Sequence, residues 1–286
     1  MTSKQNYDGT IIRFSLHEIC SPHEFSFIPE EYSKFKHGAE NIAQQYGYAL
    51  ADSFTTHCFS HHYRGEPIVV LSSAYSHIPT ASFYMKNYFV DKLNGYLFDK
   101  GYPVVEEAKI YRTVSYREDY GEMSAEQRYN LIRGDTFYID KEFLKGKQLV
   151  FLDDIKITGT HEWIILNMLN QYDLSNTCYM LYFAELIDKS IPPNIENRLN
   201  YAYVKSLDEI DTLIKNEQFH FNTRVVKLIL NSQDHLFDRF IEKQDIQFIR
   251  NLYYKSIGND YFKFSKYLRN LNQLTNLCNT NTTTPA

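Results

Sequence analysis

Two adjacent carboxylates followed by a threonine–glycine–threonine turn are the residues of this sequence best suited to chemistry. They lie in the stretch LVFLDDIKITGTHE, residues 149–162, where Asp153 and Asp154 follow four apolar residues. A short apolar run of this kind is typical of a buried strand. In a parallel α/β sheet, ligands bind beyond the carboxyl ends of the strands. We therefore expect both carboxylates to face a crevice.

The turn after the carboxylates carries groups that can hold a phosphate. Thr158, Gly159 and Thr160 precede helix-forming sequence, so they supply backbone N–H groups, two hydroxyls and the start of a helix. Glycine is scarce in this chain, with 11 copies, which makes a glycine in a loop more informative. Acceptors for hydroxyl groups thus lie beside donors for phosphate, a layout that suits a ribose 5-phosphate.

Strands and helices alternate around this stretch and predict the scaffold that positions it. Helices are predicted to follow the first strand, from Thr80, and to follow the turn at Gly159. The predicted strands cover residues 68–71, a segment that ends near Val114, and residues 136–139, 149–152, 179–183 and 201–204. This alternation is typical of an α/β protein with a mostly parallel sheet flanked by helices.

The segments on either side of this core are predicted to be helical. Apolar residues recur at helical spacing from Glu31 to about His57, which predicts one long amphipathic helix. Ser206 and Glu209 form a capping box, after which amphipathic segments run to about Leu274. The chain is predicted to consist of an N-terminal helical cover at 1–66, an α/β core at 67–205, a helical C-terminal extension at 206–275 and a disordered tail at 276–286.

Composition and charge exclude several classes of protein. The chain has 286 residues, a net charge of -5 and 43% hydrophobic residues, which indicates a globular protein and argues against a nucleic-acid or membrane-surface binder. No apolar run approaches the roughly 18 residues that span a bilayer, and the polar start lacks a secretory signal, so we expect a cytoplasmic location. The four cysteines are far apart and indicate neither disulfides nor a zinc ribbon.

The apolar run, the acids and the turn together resemble the phosphoribosyl pyrophosphate (PRPP) signature of type I phosphoribosyltransferases. That signature has four apolar residues, two acids, three variable positions and a T-G-T or A-G-T turn, and this chain has LVFLDDIKITGT. The segments YSKFKHGAENIAQQYGYALA and YRTVSYREDYGEMSAEQR are similar to the ComF-like branch, including orphan members linked to tellurite-resistance-type stress gene clusters. The resemblance covers residues 32–206.

The resemblance implies a role for each of several residues. It assigns the ribose hydroxyls of PRPP to Asp153 and Asp154, and the 5-phosphate to Thr158, Gly159, Thr160 and His161. It places the pyrophosphate against the loop Ser72, Ser73, Ala74, Tyr75 and Ser76. Residues 115–133 form a long polar stretch between two predicted strands, which favours a lid over the site. The candidate residues of the lid and its surroundings are Arg112, Tyr116, Arg117, Tyr120 and Arg128. Magnesium would be carried by PRPP itself, without a dedicated protein site.

The implied reaction transfers a phosphoribosyl group to a small-molecule acceptor and releases pyrophosphate. Purine-salvage relatives often have a carboxylate where this chain has Ile157, so the acceptor stays open. His161 and Lys156 also depart from the usual pattern of the signature. The alternative is a non-catalytic regulatory protein of the same fold that senses PRPP or a nucleotide. A pure interaction scaffold is less favoured, because the T-G-T turn would then have no function. A homodimer is compatible with the helical extension.

Other readings of the same residues are structural. An acidic pair after a strand is often a solvated strand end, and arginines in polar loops are often solvated. His57 and His61 are one helical turn apart, so a zinc site with Cys58 and His62 is conceivable. It is the less favoured interpretation, because structural zinc needs a fourth ligand and a closed geometry. Trp163, on the helix predicted after the turn, is expected to be a packed core aromatic.

Overall fold

Strands and helices alternate through the first two thirds of the chain, and helices follow. The structure is a computed structural model that describes residues 7–63, 65–113, 136–216 and 218–280. The strands are β1 (Ile11–Ile19), β2 (Ile68–Ser72), β3 (Glu106–Glu107), β4 (Tyr111–Thr113), β5 (Thr136–Tyr138), β6 (Gln148–Lys156) and β7 (Cys178–Leu186). The α-helices are α1 (Pro29–Lys36), α2 (Glu40–Phe54), α3 (Ser60–His62), α4 (Ala81–Asp99), α5 (Lys141–Leu144), α6 (Thr160–Gln171), α7 (Ile195–Asn200), α8 (Leu207–Asn216), α9 (Thr223–Leu230), α10 (Asp234–Ile241), α11 (Ile246–Gly258) and α12 (Ser265–Thr280). A π-helical turn, Thr55–Phe59, joins α2 to α3, and a 3-10 turn, Tyr261–Lys263, precedes α12.

A five-stranded parallel sheet positions the acidic stretch. Its strand order is β1-β7-β6-β2-β3, and β4 and β5 form a separate antiparallel pair. β6 lies in the middle, with Val150 opposite Val70 of β2 and Phe151 opposite Met180 of β7. All five residues of β2 are buried, as expected for a central parallel strand covered on both faces. The predicted α/β fold with a parallel sheet and flanking helices is confirmed.

Helix α6 covers one face of the sheet. Met168 and Leu169 of α6 pack in one apolar cluster with Leu149 and Phe151 of β6 and Met180 of β7. These strand residues alternate along the chain, because side chains of one parity share a face. These contacts fix α6 on this face of the sheet.

Aromatic side chains cover the other face. Tyr46 of α2 stacks on Phe183 of β7 with ring centroids 3.9 Å apart, and Phe54 meets Tyr179 edge-on at 5.5 Å. Phe54 also packs against Phe89 of α4 at 5.9 Å. Each buried aromatic ring removes a large apolar area from water. The high aromatic content of the sequence thus holds α2 and α4 on the sheet.

The chain folds into two compact units. The first contains the sheet and residues 1–28, 42–75 and 82–198, of which 7–28, 42–63, 65–75, 82–113 and 136–198 are described. The second consists of residues 29–41, 76–81 and 199–286, described to 280 except for residue 217, and is built around a helical apolar core. In the second unit the predicted capping box is confirmed, since Glu209 accepts hydrogen bonds of 2.7 Å from both the backbone N–H and the hydroxyl of Ser206. No helix of the described ranges is long and apolar enough to cross a membrane.

The helix predicted from Glu31 to His57 is wrong as a single element. α1 ends at Lys36 and α2 begins at Glu40, because Gly38 between them has a left-handed φ of +97°. A Cβ atom at Gly38 would lie 2.4 Å from the carbonyl oxygen of His220, so a side chain does not fit there. The apolar periodicity continues through the break and hides it.

Four other predictions about the elements are corrected. The N-terminal segment predicted as a helical cover contains β1, the edge strand that pairs with β7. Residues 201–204 form a turn and irregular backbone rather than a strand. The strand predicted to end near Val114 is divided between β3 and β4, which belong to different sheets. The tail predicted to be disordered from 276 begins inside α12, which runs to Thr280.

Candidate functional site

The turn between β6 and α6 has the geometry of a small anion site. β6 extends beyond the predicted end at Leu152 to Lys156, and α6 begins at Thr160. Gly159 caps α6 in the left-handed region, with φ 78° and ψ 8°. The hydroxyls of Thr158 and Thr160 lie 2.8 Å apart. The turn therefore presents hydroxyls beside the first backbone N–H groups of a helix, which favour a negative charge.

Asp153 is the centre of a hydrogen-bond network at the end of β6. Its Oδ1 accepts a 2.6 Å bond from the Ser73 hydroxyl and a 2.9 Å bond from the backbone N–H of Asp154. Its Oδ2 lies 2.9 Å from Nδ1 of His161. The Ser82 hydroxyl in turn donates to Ser73 over 3.1 Å. The structure thus brings together three of the predicted site residues, from β6, from the loop after β2 and from α6.

Asp153 and His161 stabilise each other's charged form. Burial alone would raise the pKa of Asp153, but the hydrogen bonds and charge of His161 and the bond from Ser73 hold it well below its ordinary value. Burial would lower the pKa of His161, and so does the charge of Arg112; the hydrogen bond and charge of Asp153, with a smaller contribution from Glu196, outweigh them and raise that pKa.

Asp154 contributes its backbone N–H to this network. Its side chain is buried, with the residue 6% exposed, and it does not line the cavity that Asp153 lines. Adjacent residues of an extended strand project to opposite faces, and both acids lie inside β6. The expectation that both carboxylates face one crevice is therefore wrong for this conformation.

The predicted pyrophosphate loop follows β2 directly. Ser72 is the buried last residue of that strand, and Ala74 packs against the apolar cluster of α6. The ring of Tyr75 lies 4.1 Å from the ammonium of Lys109, and burial raises the pKa of Tyr75 and lowers that of Lys109. Ser76 belongs to the second unit. The loop has no basic residue of its own, but Lys109, missed in the sequence, lies next to it.

Only one of the predicted lid residues falls in the described ranges. Arg112 lies on β4, where its guanidinium is 5.8 Å from the ring of Phe137, and its charge acts on His161. The other four are Tyr116, Arg117, Tyr120 and Arg128, and with the whole stretch 115–133 they lie outside the described residues.

A buried ionic network beneath the turn was missed in the sequence. Glu162, in the first turn of α6, accepts bonds of 2.8 and 2.6 Å from Arg13 of β1 and a bond of 2.9 Å from the Tyr182 hydroxyl of β7. Lys156 lies 2.8 Å from Glu162 and 3.0 Å from Glu185. Burial would raise the pKa of Glu162, but the bonds from Arg13 and Lys156 lower it. This network ties three strands to the start of α6.

The signal for this network is weak in the sequence. Lys156 stands out because it occupies a position where the signature usually has an apolar residue. Arg13 could not be found, since β1 was not predicted.

A small cavity adjoins the network and the Asp153 cluster. It is lined by Ser72, Ser73, Phe151, Leu152, Asp153, His161, Glu162, Ile165, Met180 and Tyr182.

The structure describes two other segments that the sequence analysis names. His57, His61 and His62 are exposed whereas Cys58 is buried, and burial raises the pKa of its thiol. Nowhere in the described ranges do three or more His, Cys, Asp or Glu side chains meet in a group that could hold a metal ion. Trp163 is half-buried on α6 rather than fully packed in the core.

A family model and several solved structures match this chain. The family model described as PRTase ComF-like matches residues 11–274. No curated protein matches the sequence. A hypoxanthine phosphoribosyltransferase from Staphylococcus aureus is 13% identical, with 53% of this chain and 76% of that chain covered and a TM-score of 0.32. A purine phosphoribosyltransferase from Pyrococcus horikoshii is 14% identical (50% and 81% covered, TM-score 0.27), and a protein from Aquifex aeolicus is 11% identical (61% and 92% covered, TM-score 0.36). These scores are low, so the family assignment depends on the sequence match.

Proposed function

Because the chain belongs to the ComF-like phosphoribosyltransferase family, we propose that it transfers a 5-phosphoribosyl group from PRPP to a small acceptor and releases pyrophosphate. The observation that supports this most is the turn at Gly159. It lies at the carboxyl end of the middle strand of a parallel sheet, the edge at which such sheets bind ligands. Its left-handed glycine and paired threonine hydroxyls suit a phosphate monoester.

The groups around the turn have complementary roles in this proposal. Thr158, Gly159 and Thr160 would hold the 5-phosphate. A carboxylate has about four acceptor positions, and protein donors occupy at least three of those on Asp153, which leaves at most one for a ribose hydroxyl. For Asp154 to accept a second ribose hydroxyl, its part of the strand would have to rotate. Negative charge at Asp153 would favour an oxocarbenium-like transition state at the anomeric carbon.

Magnesium fits this site as an ion carried by PRPP. Mg²⁺ is usually held by one or two carboxylates together with substrate phosphates. The described residues contain no group of three acidic or histidine ligands, while Asp153 supplies a carboxylate beside the phosphate turn. When bound, the ion would neutralise charge on the departing pyrophosphate. The chain's own residues would orient the sugar and its phosphate.

A screen for pyrophosphate release tests the transfer. Bases and small amines are supplied with PRPP and magnesium, and the rate of pyrophosphate release is measured for the natural protein and for Gly159→Val. Release that needs both an acceptor and an intact turn supports an enzyme. PRPP binding without release across the screen would instead favour the sensing protein.

Three finer features stay predictions from the sequence. They are the cytoplasmic location, a homodimeric state and a link to tellurite-resistance-type stress genes.

A further inference from the structure

A lysine lies against two tyrosine rings beside the predicted pyrophosphate loop. The ammonium of Lys109 is 4.1 Å from the ring centroid of Tyr75, which belongs to that loop, and 4.8 Å from the ring centroid of Tyr111 on β4. A cation within about 6 Å of the face of a tyrosine ring is attracted to it. We call Tyr75, Lys109 and Tyr111 the lysine clamp; all three residues belong to the first unit.

The backbone holds the same two tyrosines together. Tyr75 and Tyr111 form a single parallel β-bridge, which pairs the loop with the start of β4. Tyr75 also meets Phe83 of α4 edge-on, with ring centroids 5.3 Å apart. The loop is therefore restrained at Tyr75 by a backbone pairing, by a cation and by a second aromatic ring.

Resting on the proposed function, we propose that Lys109 is a positioning residue that holds the loop in the conformation that receives the pyrophosphate group of PRPP. It acts through the ring of Tyr75 and not by contact with the ligand. Affinity rises with the fraction of molecules that already have the binding conformation, since less freedom is then lost on binding. Loss of the clamp should therefore weaken the binding of PRPP. Ribose 5-phosphate has no pyrophosphate group and would be held at the turn of Gly159, so its binding should not change.

Two ligands separate this role from a general loss of structure. The affinities for PRPP with magnesium and for ribose 5-phosphate are measured by titration calorimetry in the natural protein and in Lys109→Gln, Lys109→Arg and Tyr111→Leu. Lys109→Arg keeps a cation that can lie over an aromatic ring. Tyr138→Leu is the matched control, because Tyr138 lies opposite Tyr111 in the β4–β5 pair and is similarly exposed, 58% against 52%. Circular dichroism checks that each variant is folded.

The expected result is a loss of affinity for PRPP alone. Lys109→Gln should bind PRPP about tenfold more weakly, because the cation is lost from two rings, and Tyr111→Leu, which removes one ring, about threefold more weakly. Lys109→Arg and Tyr138→Leu should bind PRPP like the natural protein, and all four variants should bind ribose 5-phosphate like it. If Lys109→Gln does not fold, Tyr111→Leu decides, since it changes an exposed side chain.

Three results would overturn the inference alone, each with PRPP bound by the natural protein. Unchanged PRPP affinity in Lys109→Gln would show that the clamp does not act on the loop. A loss in Lys109→Gln with none in Tyr111→Leu would make Lys109 a direct ligand of the pyrophosphate group. An equal loss for PRPP and ribose 5-phosphate would show a structural role only. Failure of the natural protein to bind PRPP with magnesium would overturn the proposed function and this inference together.

Discussion

Replacing Glu162 by glutamine should destabilise the first unit, because one carboxylate joins three strands to α6. Glu162 has a side chain 9% exposed and accepts bonds from Arg13, Lys156 and Tyr182. Removal of one partner from a buried ion pair costs about 3–5 kcal/mol. Arg13 is 46% exposed, so solvent screens its share, and Lys156 keeps Glu185 at 3.0 Å. We therefore expect a loss of about 2 kcal/mol in the free energy of unfolding.

The assay is urea unfolding followed by the fluorescence of Trp163, the only tryptophan of the chain, which is adjacent to Glu162. Glu142→Gln is the control, since Glu142 is an exposed glutamate in the first turn of α5; its effect should stay within about 0.5 kcal/mol. The pKa of Glu162 is lowered in the folded state, so its contribution is present above the unfolded value and is lost as pH falls. The two proteins should thus converge in acid. A Glu162→Gln effect no larger than that of Glu142→Gln, or one that persists unchanged at low pH, would refute this role.

Three further predictions concern single residues. Gly159→Ala should cost about 1 kcal/mol, because its φ of +78° disfavours a side chain, whereas Gly95→Ala, at an exposed position of α4, should gain about 0.5–1 kcal/mol. Equal effects in denaturant unfolding would contradict the backbone argument. Ser206→Ala should lower the unfolding free energy by about 1 kcal/mol through loss of a helix cap, and an unchanged urea midpoint would refute it. Asp153→Asn should be most destabilising at pH values between the ordinary pKa values of aspartate and histidine. The lowered pKa of Asp153 adds stability above about pH 3.8, and the raised pKa of His161 adds stability below about pH 6.5. A loss of unfolding free energy that is the same at alkaline pH would contradict the pair.

The parts of the fold that local patterns determine were predictable from the sequence. β2, β6 and β7 each contain a continuous apolar run, and the turn at Gly159 carries its own glycine and hydroxyls. β1 was missed because its sequence, IIRFSLHEI, mixes charged and apolar residues, as an edge strand allows. A pairing partner more than 150 residues away, β7, makes it a strand.

The candidate site was predictable in its residues and less so in their contacts. Asp153, His161 and Ser73 were all named, but that they bond to one another depends on β2, β6 and α6 meeting at one edge. The separation of Asp154 from Asp153 follows from the extension of β6 beyond Leu152, which a run of apolar residues cannot show. Contacts between distant elements are set by packing and carry no local pattern.

Binding of PRPP tests the central proposal most directly. The change in thermal stability with PRPP and magnesium is measured for the natural protein and for Gly159→Val, whose side chain blocks close approach to the turn. Circular dichroism confirms that the variant is folded, and Gly95→Ala serves as the control. At a PRPP concentration of about 100 times Kd, the natural protein and the control should gain about 2.7 kcal/mol, and Gly159→Val should gain none. No gain in the natural protein, or an equal gain in Gly159→Val, would contradict a PRPP site at this turn.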